Sequence, residues 1–334
     1  TGGEHLIPTR ISYSQWEKLL VHPLEWLLDR RLGIRAGGLV DVPTGNRMVG
    51  TWLHATVENI VNRRLDENNG DPVTVYVTEQ EVTGELEALL PAYASELALP
   101  GRSRDRGATI ALAVRSITGL FTALEDAGIR VRAVEAEFET TLTGSHGRDG
   151  EPLVLGGFRD MDVIMADGSD GVIDLKYTLA KKKYRDAVAN GTALQLAVYA
   201  ASVAGTGKRL ADVPVAYFSL HDDLLHTADP RFGLGEDTLD VSVADGGAPT
   251  ADELWDRAVT GLNRILDDLR AGHLTDLGNL LVLQDADPDG NSPEGTTEET
   301  RAALAAAGET GYLPAASAKY TDLALVTGVE GDRA

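Results

Sequence analysis

Two neighbouring stretches that alternate like β-strands constrain this chain more than any other feature of its sequence. Residues 153–165 and 171–177 alternate apolar and polar positions, and the intervening Ala-Asp-Gly-Ser-Asp is typical of a turn. Successive side chains of a β-strand point to opposite faces of the sheet. The two stretches therefore predict a β-hairpin with one apolar face and one charged face.

The charged face of this hairpin carries Asp160 and Asp162 on the first strand and Asp174 and Lys176 on the second. The apolar face carries the odd-numbered residues Met161, Val163, Met165, Ile173 and Leu175. Both charged sets share a face only if paired residue numbers add up to an even number, as when residue 160 pairs with 176 and 162 with 174. This condition requires a loop of odd length, for example 166–170, or a bulge.

The charged face has a chemical interpretation and a plain structural one. Close carboxylates repel one another unless a divalent cation or protons compensate their charge, and hard oxygen ligands suit Mg²⁺ or Mn²⁺. A lysine two residues after a metal-binding aspartate can stabilise the charge that develops on an attacked phosphate. The alternative is an exposed strand face with solvated acids, because Asp-x-Lys is a common tripeptide.

Composition excludes several classes of function. The 334 residues include no cysteine, so a disulfide framework, a cysteine-ligated metal site and a thiol nucleophile are excluded. We expect no membrane span, because no stretch approaches the length of apolar sequence that a span requires. The first residues lack the pattern of a secretory signal, and the chain is expected to be cytoplasmic.

The charge of the chain is unevenly distributed. A formal net charge of −22 should repel nucleic acid at long range. Several lysines nevertheless crowd into one window that starts at Lys176 and continues through Lys181, Lys182 and Lys183, with Arg185 close behind. Such a run is either a solvated loop or a local cationic patch that contacts nucleic acid.

The remaining patterns predict an α+β order of elements rather than a regular βαβ alternation or a sandwich. Helices are predicted, in chain order, over 11–32 with a break at Pro23, 48–66, 78–98, 105–128, 191–205 and 251–272. Further strands are predicted over 130–143 and 213–220. Residues 221–250 are predicted to form a long surface loop, 284–300 a flexible acidic segment, and 297–307 a short helix.

Two further motifs lie on predicted helices. His54 and Glu58 are four residues apart in Gly-Thr-Trp-Leu-His-Ala-Thr-Val-Glu, and Gln195 and Tyr199 are four apart in Gln-Leu-Ala-Val-Tyr. This spacing places each pair on one helical face. Taken singly, each pair could belong to an ordinary helix.

Together, these motifs resemble the RecB-like branch of the PD-(D/E)XK nucleases. The matches occur in order: G-T-x-L-H-x-x-x-E at 50–58, G-F-R-D at 157–160, V-I-D-L-K at 172–176 and Q-x-x-x-Y at 195–199. The resemblance covers most of residues 11–220. It implies a restriction-endonuclease-like core, in which helices flank a mixed central sheet and the N-terminal part is helical.

The resemblance also implies roles for the matched residues. His54, Asp160 and Asp174 would bind Mg²⁺ or Mn²⁺ together with the Leu175 carbonyl, and Lys176 would be the catalytic lysine. Other residues would assist, with Gln195 and Tyr199 positioning Lys176 or the DNA backbone, Glu58 and Asp162 supporting the metal ligands, and Glu135 and Glu137 as further candidates. DNA phosphates would approach Lys181, Lys182, Lys183 and Arg185.

The chain departs from many members of this branch, which carry a four-cysteine iron–sulfur cluster. His22 stands before Pro23, where such relatives have a cysteine, so no iron–sulfur cluster is expected. Related domains often end helicase–nuclease subunits, and the absence of an initial Met fits such a detached domain. The chain has no Walker nucleotide-binding motif, so a partner helicase would supply unwinding.

The resulting hypothesis is a metal-dependent deoxyribonuclease, expected to be an exonuclease acting on single-stranded DNA or duplex ends in recombination, repair or phage defence. The alternatives are a catalytically silent module for DNA binding or helicase scaffolding, and a hydrolase of another phosphodiester. The expected organisation is one compact nuclease domain. It comprises a helical part over 1–128 that contributes His54, the nuclease core over 129–280, and an acidic segment with a tail over 281–334.

Overall fold

The computed structural model describes most of the chain up to residue 274, namely residues 3–34, 44–180, 182–205, 208–233, 238–240 and 250–274. The chain divides into two compact units, each assembled from separate segments. The first unit comprises Thr1–Leu39, Glu139–Gly157 and Glu253–Ala334, and the second comprises Val40–Phe138 and Phe158–Asp252.

The first unit begins with a short strand and a helix interrupted by proline. Strand β1 (Arg10–Ile11) pairs in parallel with residues 154–155, and helix α1 (Tyr13–Val21) begins where the Ser12 side chain accepts a hydrogen bond from the Gln15 amide. Helix α2 (Pro23–Trp26) runs into a π-helical turn at Leu27–Arg31. The predicted break at Pro23 is therefore confirmed, as expected for a residue that cannot continue a hydrogen-bonded helix.

Three helices of the second unit form one side of its core. They are α3 (Gly45–Glu67), α4 (Glu79–Tyr93) and α5 (Ser103–Asp126), and a short 3₁₀ turn at Ser95–Ala98 follows α4. Their apolar side chains join the buried odd-numbered residues Met161, Val163, Ile173 and Leu175 in one hydrophobic cluster. The predicted apolar face of the hairpin is thus the surface against which these helices pack.

Helix α5 is also the one described helix that is long and apolar enough, by length and composition alone, to cross a membrane. A bent pair of shorter helices, Lys183–Ala189 and Leu194–Ala204, would pass the same test if the pair were counted as one span. Helices that belong to a protein core pass this test too. Ile117, Leu120 and Phe121 of α5 lie in the core cluster.

The sheet to which β1 belongs is mixed, as predicted. Its other strands are β2 (Arg130–His146), β3 (Pro152–Ile164), β4 (Asp170–Lys176), β5 (Val215–Ser219), β6 (Leu224–Thr227) and β7 (Thr238–Asp240). Strand β2 pairs with β3. Pairing is antiparallel between β3 and β4, parallel between β4 and β5, antiparallel between β5 and β6, and parallel between β6 and β7. The α+β, restriction-endonuclease-like fold class is confirmed.

The remaining described helices are α6 (Lys183–Ala189), α7 (Leu194–Ala204) and α8 (Ala251–Ala271). The prediction of one helix over 191–205 missed α6, because the run of lysines that leads into it indicated a solvated loop and hid the helical spacing of Tyr184, Ala187 and Val188. These three residues pack against Leu196 and Tyr217 in a second apolar cluster. Helix α6 is therefore held by tertiary packing rather than by its own sequence pattern.

The predicted surface loop over 221–250 is wrong in part, since the segment contributes strands β6 and β7. Strand β6 is only four residues long, and its alternation is too short to stand out among polar neighbours. The structure does not describe residues 234–237 and 241–249 within this segment. The predicted acidic segment at 284–300 and the helix at 297–307 also lie outside the described residues.

Candidate functional site

The hairpin has the parity that a shared charged face requires. Met161 pairs with Ile173 and Ile164 with Asp170, so the paired numbers sum to 334 and the loop has five residues. The sum is even, as predicted, although the register differs by two residues from the example of 160 with 176. Asp160, Asp162, Asp174 and Lys176 therefore belong to the same side of the hairpin.

The two strands stop pairing just before the first aspartate of this face. Backbone pairing ends at Met161 and Ile173, and the amide of Leu175 donates a hydrogen bond to Asp160 Oδ2 over 2.8 Å. The Asp160 carboxylate thus satisfies a backbone donor that would otherwise lose its partner. This bond fixes one carboxylate at the open end of the hairpin.

Helix α3 brings His54 to the same place. The His54 Nδ1 lies 3.8 Å from Asp160 Oδ2, and the imidazole also hydrogen-bonds to the backbone of Leu175. Burial lowers the pKa of His54, and the positive charge of Lys176 lowers it further. The nearby carboxylates raise this pKa, but each by less than burial lowers it. The neutral imidazole favoured by this shift is the form that binds a metal ion.

Asp174 and Lys176 form a close ion pair at the centre of the site. The Asp174 side chain is fully buried, and its Oδ2 lies 2.5 Å from Lys176 Nζ. Burial and repulsion from Asp160 raise the pKa of Asp174 to about 7, and burial raises the pKa of Asp160 to about 6. Burial disfavours the charge on Lys176, but Asp174 and Asp160 outweigh it and leave the lysine pKa raised.

The motif on α7 contacts this ion pair from the aspartate side. Gln195 Nε2 donates to Asp174 Oδ1 over 2.8 Å and also contacts the Tyr199 hydroxyl oxygen at 2.9 Å. The sequence predicts that Gln195 and Tyr199 position Lys176 or DNA. In the structure, Gln195 instead hydrogen-bonds to Asp174. The two oxygens of Asp174 are therefore held by different partners, an amide and an ammonium.

Glu135 joins the site from strand β2. Its carboxylate, the His54 imidazole and the Asp160 carboxylate each offer a ligand atom, and these atoms all lie within 4.8 Å of one another. The Glu135 backbone has a positive φ of 47°, a left-handed conformation that non-glycine residues seldom adopt. Alternation along the strand does not reveal this conformation, so the sequence could not rank Glu135 above Glu137.

Asp162 has a different environment from the other acids of the face. It accepts two hydrogen bonds from Arg159, from Nε over 2.6 Å and from an Nη over 2.8 Å. The Arg159 guanidinium lies 5.4 Å from the ring centre of Phe138, which meets Tyr199 edge-on at 6.1 Å. Asp162 is thus linked to Tyr199 through Arg159 and Phe138. Its role in supporting the metal ligands stays a prediction.

Glu58 acts on the site through its charge. It raises the pKa of both His54 and Glu135, though in each case burial is the larger influence. Burial together with Glu58 and Asp174 raises the pKa of Glu135 above its ordinary value. The i, i+4 spacing of His54 and Glu58 therefore places two groups of the motif near one cluster, as the sequence predicts.

The basic residues after β4 lie at the start of α6. Lys182 and Lys183 are exposed, and Arg185 is paired with Asp186 at 3.2 Å. Lys181 lies outside the described residues, so its predicted role in DNA binding is not located. The predicted DNA-contacting residues therefore begin only a few positions after Lys176 in the chain.

The fold and the site together indicate a class of enzyme: an imidazole, several carboxylates and a lysine at the open end of a mixed sheet are the parts of a metal-dependent hydrolase. The model of the PD-(D/E)XK nuclease superfamily matches residues 10–278. The chain therefore belongs to the PD-(D/E)XK nuclease superfamily, whose members are metal-dependent nucleases. No curated protein matches the chain.

Proposed function

We propose that this chain is a divalent-metal-dependent DNA nuclease of the RecB/AddB-like branch, which hydrolyses phosphodiester bonds. The observation that carries the proposal is the placement of His54, Asp160, Asp174 and Lys176 around the open end of one hairpin. These residues come from three motifs, and the fold places His54 beside Asp160 and Asp174 beside Lys176. Glu135 extends the set of metal-binding groups.

The residues present fit a divalent cation. Ligand atoms of His54, Glu135 and Asp160 lie close enough together to share one ion, and Asp174 with the Leu175 carbonyl would complete the set. Hard carboxylate and carbonyl oxygens suit Mg²⁺ or Mn²⁺, and an imidazole nitrogen adds affinity for Mn²⁺. When bound, the ion would supply an activated water and positive charge at the scissile phosphate.

The chain's own residues account for the rest of the chemistry. The Lys176 ammonium can face the phosphate and offset the negative charge that develops during hydrolysis. Gln195 holds one oxygen of Asp174 and leaves the other oriented towards Lys176. Burial of the Asp174 carboxylate keeps bulk water from competing for these contacts. The electrostatic interactions within the site are therefore stronger than they would be in water.

We further propose that the enzyme is an exonuclease and that its substrate is single-stranded DNA or a duplex end. Lys182, Lys183 and Arg185 follow the catalytic strand and would contact backbone phosphates, as would Lys181. The net charge of −22 leaves few other places where DNA could bind. We therefore propose a partner helicase subunit that delivers the strand, in cytoplasmic recombination, repair or phage defence.

The proposed organisation remains the one inferred from the sequence. The part over 1–128 would supply His54, residues 129–280 would form the nuclease core, and residues 281–334 would be an acidic segment and tail. Limited proteolysis with mass spectrometry would test these boundaries. Protected fragments that end near residue 280 would support them, and protection extending to the C-terminus would contradict them.

The alternative function is a catalytically silent module that binds DNA or supports a partner helicase. The strong net negative charge favours it, because a free-standing nuclease gains substrate affinity from a positive surface. The residues of the site favour the active enzyme, because His54, Asp160, Asp174 and Lys176 all retain the chemistry that hydrolysis requires.

Cleavage of labelled DNA separates these functions. Linear single-stranded, linear duplex and closed circular DNA are incubated with the protein and Mg²⁺ or Mn²⁺, beside Asp174→Ala and Lys176→Ala variants. We expect mononucleotides or short products from linear DNA, intact circles, and product formation slower by about 100-fold or more with either variant. DNA binding without cleavage by the wild type would favour the silent module, and nicking of circles would replace the exonuclease with an endonuclease.

A further inference from the structure

The ammonium group of Lys176 has aromatic neighbours as well as an anion. Besides Asp174 Oδ2 at 2.5 Å, Lys176 Nζ lies 5.9 Å from the ring centre of Tyr184 and 5.9 Å from that of Tyr217. A cation within about 6 Å of an aromatic face is attracted by the ring without transfer of its charge. The ammonium therefore has the Asp174 carboxylate in direct contact and two aromatic rings, which carry no charge, beside it.

The two rings are fixed by separate parts of the fold. Tyr217 lies on β5 directly opposite Asp174 in the parallel pairing and is buried. Tyr184 comes from α6, and its ring lies 4.9 Å from that of Tyr217 at an angle of 49°. Both rings belong to the apolar cluster that includes Ala193 and Leu196. Their positions are thus set by packing and are independent of the lysine's own rotamer.

We propose that Tyr184 and Tyr217 are positioning residues that form an aromatic pair on one side of the Lys176 ammonium. The aromatic pair keeps a long, flexible side chain beside Asp174 and lowers the conformational freedom that it must lose during the reaction. The rings attract the ammonium without neutralising it, so its positive charge stays available to a phosphate. This inference rests on the proposed nuclease function, in which Lys176 faces the scissile phosphate.

Paired substitutions separate the aromatic ring from the hydroxyl. We expect Tyr184→Leu and Tyr217→Leu each to lower kcat by about 3- to 30-fold, with KM for DNA little changed. Tyr184→Phe and Tyr217→Phe keep the aromatic face and should restore kcat to within about twofold of the wild type. Tyr177→Leu is the matched control, because Tyr177 follows Lys176 in the chain but its ring faces His221 at 6.0 Å.

A second measurement excludes a merely structural role. Thermal melting and metal binding of Tyr184→Leu should match the wild type, and in a Lys176→Ala background Tyr184→Leu should leave the residual cleavage rate unchanged. Tyr184 is only partly buried, so this variant carries the test if Tyr217→Leu fails to fold.

Three results would overturn the proposed role of the aromatic pair. They are leucine variants with wild-type kcat, phenylalanine variants as slow as the leucine variants, or a Tyr184→Leu substitution that slows cleavage as much in the Lys176→Ala background as in the wild type. Absence of cleavage by the wild type, with Mg²⁺ or Mn²⁺ present, would instead overturn the proposed function. The failure of one proposal is therefore distinguishable from the failure of the other.

Discussion

Metal binding to this site should displace protons, and the number follows from the two aspartates. Near pH 6.5, Asp174, with a pKa of about 7, is more often protonated than ionised, and Asp160, with a pKa of about 6, is partly protonated. A metal ion binds the ionised carboxylates, so its binding should release about one proton in total. Near pH 8.5 both groups are already ionised, and the expected release falls below about 0.1.

Isothermal titration calorimetry measures this number directly. Mn²⁺ is titrated into the protein in buffers with different ionisation enthalpies, and the dependence of the observed heat on that enthalpy gives the protons released. His54 contributes little, because burial lowers its pKa and favours the neutral form. The apparent metal affinity should also rise from pH 6 to pH 8, because protons then compete less for the carboxylates.

A matched pair of variants identifies the source of the protons. Asp174→Asn should lose most of the release or fail to bind Mn²⁺ altogether. Asp167→Asn, on the exposed turn of the same hairpin, should release as many protons as the wild type, because hydrogen bonds from Ser169 already keep the pKa of Asp167 low. A release near zero at pH 6.5 in the wild type, or a normal release in Asp174→Asn, would refute the link between the buried aspartates and the metal.

Four further outcomes are expected. Lys176→Ala should lower kcat by about 100-fold or more while leaving Mn²⁺ binding measurable by calorimetry. Glu135→Gln should weaken Mn²⁺ binding by on the order of 10-fold, and an unchanged affinity would remove Glu135 from the ligand set. Lys183→Ala should reduce the salt dependence of DNA binding by about one ion, and an unchanged slope would mean that no phosphate is contacted there. Met161→Ala should lower the free energy of unfolding by about 2–5 kcal/mol in denaturant titrations, because Met161 is fully buried; a loss below about 1 kcal/mol would contradict its place in the core.

The hairpin shows how much of the fold the sequence could predict. Alternation placed Met161, Val163, Ile173 and Leu175 on the apolar face, and all four are buried in the core cluster. Alternation sets which face a residue occupies, but it leaves the register open by steps of two. Only the structure shows that paired residue numbers sum to 334, as for Met161 with Ile173, and not to 336, as in the example of 160 with 176.

Elements that depend on tertiary contacts were the ones that sequence reasoning missed. Helix α6 is short, and the run of lysines that leads into it is typical of a solvated loop, but Tyr184 packs against Tyr217 and holds the helix in place. Strand β6 is hydrogen-bonded to β5 and has too few residues for a periodic signal. In both cases packing against or pairing with another element supplies the stability that the local sequence lacks.

The site divides in the same way. Motifs at fixed spacing identified His54, Asp160, Asp174, Lys176 and Gln195 as one group, and the structure brings these residues together. The sequence could not show that Gln195 contacts Asp174 or that a left-handed backbone accompanies the approach of Glu135. Such details depend on side-chain directions and local backbone conformation, which residue types alone do not encode.

The rate of metal-dependent DNA cleavage tests the proposed enzyme most directly. Single-turnover cleavage of end-labelled DNA is measured for the wild type, Asp174→Asn and Asp167→Asn, with Mn²⁺ or Mg²⁺ and again with a chelator. The wild type and Asp167→Asn should cleave at equal rates, Asp174→Asn should be slower by about 100-fold or more, and the chelator should stop all cleavage. Cleavage that persists in chelator, or equal rates for Asp174→Asn and the wild type, would contradict a metal-dependent nuclease built on this hairpin.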